Sequence, residues 1–265
     1  MTLLPEERKQ HILEQLQRHG KIQVAELARC LTVTPETIRR DLDDLEKQKL
    51  LQRVHGGAIS YVHAKLEPHF KKKQGIKREA KISVGRKAAS LVQDGDTIAL
   101  DVGTTTLELA RALKGVIRLT VVTNSLPAAT VLNELLEAKV FDGRVIVLGG
   151  VTNPRQKSIT GALTCELLSR FRFDKAFISC GGITPDGISD YDMEEALCSA
   201  QMVQRSERVY VLADGTKLAE TQLYRICRPE DVTAIICDQQ MPDHWRSTGR
   251  FTDWITAGRQ KGEET

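Results

Sequence analysis

The sequence predicts an α/β chain in two parts, an N-terminal winged helix-turn-helix and a mostly parallel sheet covered by helices. Three observations carry this. Residues 6–60 hold three short amphipathic segments followed by two strand-like runs around Gly56-Gly57. From Arg78 to Cys237, apolar β-branched runs of strand length alternate with segments of helical period. The chain of 265 residues is also longer than one small helical module requires, so a larger second unit is expected.

Taken in order, Glu6 to His19 reads as the first helix, with Ile12, Leu13 and Leu16 apolar and Gly20 at its end. Lys21 to Val24 is a short extended link, and Ala25 to Leu31 a second helix. After the tight connection Thr32-Val33-Thr34, the segment Pro35 to Lys47 forms a third helix. Thr34 suits its cap, Pro35 its first turn, and Glu36 the positive end of its dipole. Ile38, Leu42 and Leu45 share one face, which leaves Thr37, Arg39, Arg40 and Asp43 off it. Arginine pairs with guanine or grips phosphate, and threonine meets a thymine methyl or a phosphate oxygen. Leu50 to Ile59 then makes a wing with Arg53 and His55 near its tip. A solvated surface helix would explain Arg39-Arg40 alone; the capped helix pair together with the wing favours a DNA reader. The candidate DNA contacts are Thr34, Glu36, Thr37, Arg39, Arg40, Arg53 and His55.

Periodicity lapses over residues 61–75, where Pro68 interrupts and charge rises, so this stretch is expected to be a linker. A helix follows from Arg78, with Ile82, Gly85, Ala89 and Val92 as its apolar stripe. Strands are expected at Thr97–Leu100, Leu119–Thr123, Arg144–Leu148, Lys175–Ser179, Arg208–Leu212 and Thr233–Cys237. Helices are expected at Leu107–Leu113, Pro127–Leu136, Ala162–Phe171 and Met193–Arg205. Residues 76–240 thus form the second domain, after a first of 1–60, and 241–265 read as a peripheral tail.

Ligands of open α/β sheets sit beyond the carboxyl ends of the strands. The residues there are small or polar, and the candidate ligand contacts are Asp101, Gly103, Thr104, Thr105, Thr106, Asn124, Ser125, Gly149, Gly150, Gly181 and Lys217. Gly103 admits a ligand to the backbone. The three threonines bring hydroxyls and helix-terminal amides to one point, which suits a phosphate, and Lys217 supplies countercharge.

Composition narrows the alternatives. A 41% hydrophobic and 28% charged chain of net charge +3 fits a soluble protein and does not by itself announce nucleic acid. Lys71, Lys72, Lys73, Lys77, Arg78, Lys81, Arg86 and Lys87 cluster between the two parts, as either phosphate-attracting or solvated basic residues. The six cysteines lack Cys-x-x-Cys spacing and the histidines lack metal-site spacing, so no metal is expected. Neither a signal-peptide core nor a membrane-length apolar run is visible, which points to a reducing cytoplasm and no membrane partner. With no Walker pattern or Gly-x-Gly-x-x-Gly after a strand, no cofactor is expected. No catalytic set is assigned: Asp101, Asp190, Asp192, Glu194 and Glu195 are the available acids, and Glu194 and Glu195 also suit a helix start.

The run Ile22 to Ala58, with Thr37-Ile38-Arg39-Arg40-Asp41-Leu42 and Arg53-Val54-His55-Gly56-Gly57-Ala58, resembles the N-terminal domain of DeoR-family transcriptional regulators. The second part is similar to that family's C-terminal domain in Asp101-Val102-Gly103-Thr104-Thr105-Thr106, Val122-Thr123-Asn124-Ser125, Leu148-Gly149-Gly150 and Leu212-Ala213-Asp214-Gly215-Thr216-Lys217. The resemblance implies operator binding through the wing module, usually as repression of a catabolic operon. It also implies a sheet related to ribose-5-phosphate isomerase and CoA-transferase folds that senses a phosphorylated sugar. In that reading the Gly103–Thr106 turn holds the phosphate and Lys217 contacts the ligand. One departure is Asp214-Gly215-Thr216-Lys217, where the family more often has two serines before the lysine. A small DNA module needs repeated half-sites, so a homodimer or tetramer is expected. The rivals are a sugar-phosphate isomerase or CoA-transferase-like enzyme with a DNA-binding appendage, and a DNA-binding protein whose second half is a ligand-free oligomerisation platform.

Overall fold

The computed structural model describes residues 4–19, 21–48, 50–54, 56–60 and 67–258. The chain divides into two compact units, Met1–Leu66 and Glu67–Thr265.

In the first unit, helices α1 (Pro5–His19), α2 (Val24–Cys30) and α3 (Pro35–Lys47) pack with strands β1 (Lys21–Gln23), β2 (Leu51–Val54) and β3 (Gly57–Ser60). The strands are antiparallel in the order β1-β3-β2, so the stretch read as a plain link is a third strand, Ile22 opposite Ala58. Ile12, Leu16, Leu27, Ile38, Leu42, Leu45 and Leu51 form the core. The Thr37 backbone N–H donates to Thr34 Oγ1 at 3.2 Å, so Thr34 caps α3 as its sequence position requires. Asp41 lies on the buried side of α3, where both carboxylate oxygens accept from the Arg8 guanidinium of α1, one of them from Nη2 at 3.0 Å. A carboxylate is tolerated there because the planar fork satisfies it.

The second unit is built on a seven-stranded sheet ordered β15-β14-β12-β9-β4-β5-β6. Its strands are β4 (Thr97–Leu100), β5 (Leu119–Thr123), β6 (Gly143–Val147), β9 (Phe173–Ile178), β12 (Ser206–Ala213), β14 (Ala234–Cys237) and β15 (Trp254–Thr256). Every pairing in it is parallel. Helices α4 (Phe70–Gly75), α5 (Arg78–Ala89), α6 (Thr104–Ala112), α7 (Leu126–Glu137), α8 (Ala162–Ser169), α9 (Met193–Gln204) and α10 (Asp243–Arg246) complete the unit. Apolar residues on both faces of the sheet are buried, in two clusters that include Val122, Ile178 and Val211 on one and Leu100, Phe177 and Leu212 on the other. From β4 the chain winds outward through β5 and β6, then returns to β9 on β4's other side and winds the opposite way. The strand order therefore reverses between β4 and β9, where such sheets open a crevice at their carboxyl edge.

Five short strands are not anticipated by the sequence pattern: the hairpin β7 (Val151–Asn153) with β8 (Ser158–Thr160), and the antiparallel trio β10 (Gly182–Thr184), β11 (Gly187–Asp190) and β13 (Tyr224–Cys227). At three or four residues each, they are too short for an alternation signal.

The structure differs from the sequence reading at three further places. The expected linker 61–75 ends early. Phe70 is buried among Val84, Leu107 and Leu109, its N–H donating to Arg155 O at 3.0 Å, so α4 belongs to the second unit, while 61–66 lie outside the described residues. Of the expected stripe Gly85 and Val92 are buried, but Ile82 and Ala89 are only partly so, and on α5 Lys81, Val84 and Ala88 are buried with Gly85 instead. Residues 241–258 are not a loose tail: β15 pairs with β14, and Trp245 packs among Phe251 and Trp254.

Candidate functional site

Helix α3 presents its candidate residues around Arg40. With Ile38, Leu42 and Leu45 buried, helical geometry turns Glu36, Arg40, Asp43 and Lys47 to the opposite side. Arg40 is exposed and has no ion pair among the described residues. Arg39 pairs with Glu36 at 3.1 Å, an exposed contact that a phosphate can displace at little cost. Arg53, from β2, pairs with Asp43 and reaches Arg39 O at 3.5 Å, which ties the wing to α3. Its N–H donates to Glu46 Oε1 at 2.7 Å. Thr34 and Thr37 share a hydroxyl contact of 2.9 Å at the start of the helix. His55 lies outside the described residues.

At the carboxyl edge of the large sheet, Asp101 follows β4 at the β4–β9 switch point, its N–H donating to Phe177 O of β9 at 3.0 Å. It is 1% exposed and accepts from Ser199 Oγ (2.8 Å), Val102 N (2.8 Å) and Ser179 N (3.3 Å). Burial pushes its carboxyl up to about 6 despite these bonds. Gly103 follows, and a Cβ there would come within 2.6 Å of Ser179 Oγ, so the turn needs glycine for close approach to β9. Helix α6 begins at once with Thr104, three residues before the expected start, so the threonines form its first turn. Thr106 bends its hydroxyl back onto Gly103 O at 3.1 Å, and so is not free to donate to a ligand, contrary to the sequence reading. Thr104 and Thr105 flank the first amides of α6, which have no partner within the helix.

Asn124 follows β5. Its carboxamide is fully buried, and although it lies near enough to Asp101 to favour the carboxylate, neither its oxygen nor its nitrogen makes a well-formed hydrogen bond. An orphaned buried donor and acceptor is costly unless another molecule satisfies it. Ser125, by contrast, is occupied as the cap of α7, accepting from Ala128 N at 3.3 Å.

Further along the edge, Lys217 sits in a single turn after β12 with Nζ 5.7 Å from the Tyr191 ring centroid. Gly181 packs against that ring and against Gln222, whose Nε2 donates to Gly181 O at 3.3 Å. Gly149 and Gly150 are engaged elsewhere. Thr164 Oγ1 donates to Gly149 O at 2.8 Å, and Gly150 abuts Thr164 and Thr160, so their contacts are with the β8–α8 corner rather than with Asp101.

Several groups at this edge are not assigned to it by the sequence. Glu195 is not a simple dipole-facing acid on α9. It is 4% exposed and accepts from Ser158 Oγ at 2.5 Å, and burial pushes it up to about 8. Asp190, at the end of β11, is likewise pushed up to about 7 by burial and by the nearby Glu67 charge. Lys81 is 4% exposed, with Nζ donating to Lys73 O at 2.6 Å and lying 3.8 Å from Asp214 Oδ2. Its signal is present in the sequence as a lysine at i−3, i−4 and i−7 from Val84, Gly85 and Ala88.

Glu195 gives a test of this edge. Its folded pKa lies above the ordinary 4.5, so between pH 4.5 and about 8 the folded chain holds a proton that the unfolded chain has lost. Stability from this group is therefore present at low pH and declines as pH rises, by up to about 1.4 kcal/mol per pH unit. Glu195→Gln keeps an acceptor for Ser158 and cannot ionise. Its melting temperature is expected to gain on the parent as pH goes from 5 to 9, and a constant difference across that range contradicts the assignment.

No group of three or more His, Cys, Asp or Glu side chains among the described residues is arranged to hold a metal ion. No described helix is long and apolar enough to cross a membrane.

Comparison with known proteins gives concordant matches at both ends of the chain. Residues 8–63 match the DeoR-like helix-turn-helix domain and residues 76–239 the DeoR C terminal sensor domain. An uncharacterized HTH-type transcriptional regulator of Staphylococcus epidermidis is 42% identical over 80% of this chain and 83% of its own. The HTH-type transcriptional repressor GlcR of Bacillus subtilis is 34% identical over 88% of each chain. A lactose phosphotransferase system repressor of Lactococcus lactis is 32% identical over 94% of this chain and 98% of its own. Among solved structures, a ribose 5-phosphate isomerase of Methanocaldococcus jannaschii aligns with 52% of this chain and 53% of its own at 17% identity and a TM-score of 0.35.

Proposed function

The chain belongs to the DeoR family of transcriptional regulators, and we propose that it represses a carbohydrate operon whose operator it releases or grips according to a phosphorylated sugar. The observation that carries the ligand half is the buried, unsatisfied Asn124 carboxamide beside Asp101, near the first turn of α6. A sugar hydroxyl both donates and accepts, as that carboxamide requires, and a phosphate suits the amides and hydroxyls of Thr104 and Thr105. Lys217 adds positive charge at the same edge. The names of two relatives, a repressor of the lactose phosphotransferase system and the repressor GlcR, support the sugar-operon reading. In the DNA half, α3 lies in the major groove with Arg40 foremost, and the wing carries Arg53 to the backbone. Residues 1–60 and 76–240 are the two working parts, the protein acts as a homodimer or tetramer on repeated half-sites, and its place is the cytoplasm.

Three buried carboxyls with raised pKa values, Asp101, Asp190 and Glu195, give one reason to weigh catalysis, since acid-base isomerisation uses such groups. We read them instead as partners for ligand hydroxyls and the protein as a sensor without turnover. The deciding experiment measures binding to DNA from upstream of the protein's own operon, at fixed salt, with and without a panel of sugar phosphates. Specific binding shifted by one compound, which is recovered unchanged, is the expected result. Conversion of that compound to its isomer overturns the sensor reading.

A further inference from the structure

The first residues described after position 66 lie against the proposed ligand site, and one buried lysine joins them to it. Glu67 pairs with Lys73, and its charge reaches Asp190, Tyr191 and Glu195. Phe70 anchors α4 in the core against Leu107 and Leu109 of α6, the helix that starts with the threonine turn. Gln156 Nε2 holds Pro68 O at 3.3 Å. At the far end of α4 the Lys73 carbonyl accepts from Lys81 Nζ at 2.6 Å.

Lys81 stands close to the start of α6. Helix α5 leads into β4, so its first turn lies at the carboxyl edge of the sheet, where α6 also begins. The two helices are in close contact: a Cβ on Gly85 would come within 2.6 Å of Leu109 N. Around Lys81 Nζ are Asp214 at 3.8 Å, the charges of Lys217 and Lys73, and that of Glu108 on α6. Burial, helped by the two like charges, lowers its pKa to about 8. An ammonium so placed has three donors and gains from any anion at the threonine turn.

We propose that Lys81 is the contact through which an anion at the threonine turn acts on residues 67–75, the segment that follows the DNA-binding unit in the chain. This deepens the ligand-site reading above and rests on it. A phosphoryl oxygen takes a donor of Nζ that the Lys73 carbonyl leaves free and draws the ammonium toward the turn, at the expense of the Lys73 bond. When Nζ turns toward the anion, the last turn of α4 loses its tether, and the ion pair of Glu67 with Lys73 is disturbed with it. A ligand shifts an equilibrium only through differential contact with the two states, and Lys81 supplies such a contact.

The test uses the full chain, inorganic phosphate as the probe, and the variants Lys81→Met and Lys81→Arg. Binding is read as a rise in melting temperature, and the segment is read by hydrogen exchange across residues 67–77. In the parent, saturating phosphate is expected to raise the melting temperature and to speed exchange over 67–77 severalfold. Lys81→Met keeps the apolar stem, and at its own saturation is expected to show a raised melting temperature with unchanged exchange in 67–77. Lys81→Arg, which keeps the charge, should recover much of the response. If Lys81→Met responds in 67–77 as the parent does, the inference is overturned. A parent stabilised by phosphate without any change in 67–77 also overturns it while sparing the ligand site. If phosphate stabilises no form of the chain, the anion site itself falls, and this inference with it.

Discussion

Thr105→Glu is expected to abolish the response to sugar phosphate while leaving operator binding in place. Thr105 is the second residue of α6, 6% exposed beside the amides that the helix leaves without internal partners. A carboxylate at that position interacts favourably with the helix dipole, so it opposes the ligand more than it opposes the fold. It occupies the amides itself and sets a like charge against the incoming phosphate, a juxtaposition that costs several kcal/mol, or roughly a hundredfold or more in affinity. Thermal shift with the active sugar phosphate reads the loss, and operator binding in its absence reads the intact half. Thr105→Val is the milder companion. It keeps the β-branched shape and removes one hydrogen bond to a charged group, worth about 1.5–3 kcal/mol. Normal induction of the Glu variant removes this turn from the ligand site.

Arg40→Ala is expected to weaken operator binding by about 1–3 kcal/mol per half-site, roughly 5- to 150-fold, with ligand-induced stabilisation unchanged. Arg40 faces away from the Ile38, Leu42 and Leu45 stripe and engages no carboxylate among the described residues, so its removal costs α3 no internal ion pair among them. Two readouts separate its possible partners on the DNA. If Arg40 neutralises a phosphate, the substitution lowers the slope of log affinity against log salt by about 0.9. If it reads a base, the slope stays nearer its parent value and the gap between operator and mutated operator narrows. Loss of ligand stabilisation alongside DNA binding would instead mean damage to the whole chain.

What can be read in the sequence follows the range of the interactions involved. The cap of α3 is set by Thr34 and Thr37, three residues apart, and its apolar face by Ile38, Leu42 and Leu45; both are legible because both are local. The alternation that predicts the parallel sheet is legible for the same reason. The proposed ligand edge is legible only in outline. Asp101 and Asn124 can be placed at strand ends, but the orphaned state of Asn124 depends on what surrounds it in space. The burial of Glu195 depends on Ser158, 37 positions away. Thr106 looks equivalent to its two neighbours in sequence, and only the geometry of the first turn sends its hydroxyl to Gly103. Gly149 and Gly150 match a family motif, yet their contacts answer to Thr160 and Thr164. Lys81 is visible in the basic cluster but reads there as one cation among many, because the sequence pattern gives the buried place in the first turns of α5 to its apolar neighbour Ile82.

The edge strand β15 bears on how the protein is made and kept apart from its neighbours. Its partner β14 is Ala234-Ile235-Ile236-Cys237, buried at every position and short of charge. Until residues 254–256 are in place, that strand presents an unpaired backbone edge of the kind that recruits other chains. Residues 254–256 follow β14 in the chain, so the edge of β14 stays uncovered until the segment beyond it has folded back. Removal of the β15 segment would therefore leave α3 and its unit untouched and still yield a protein prone to stick to itself.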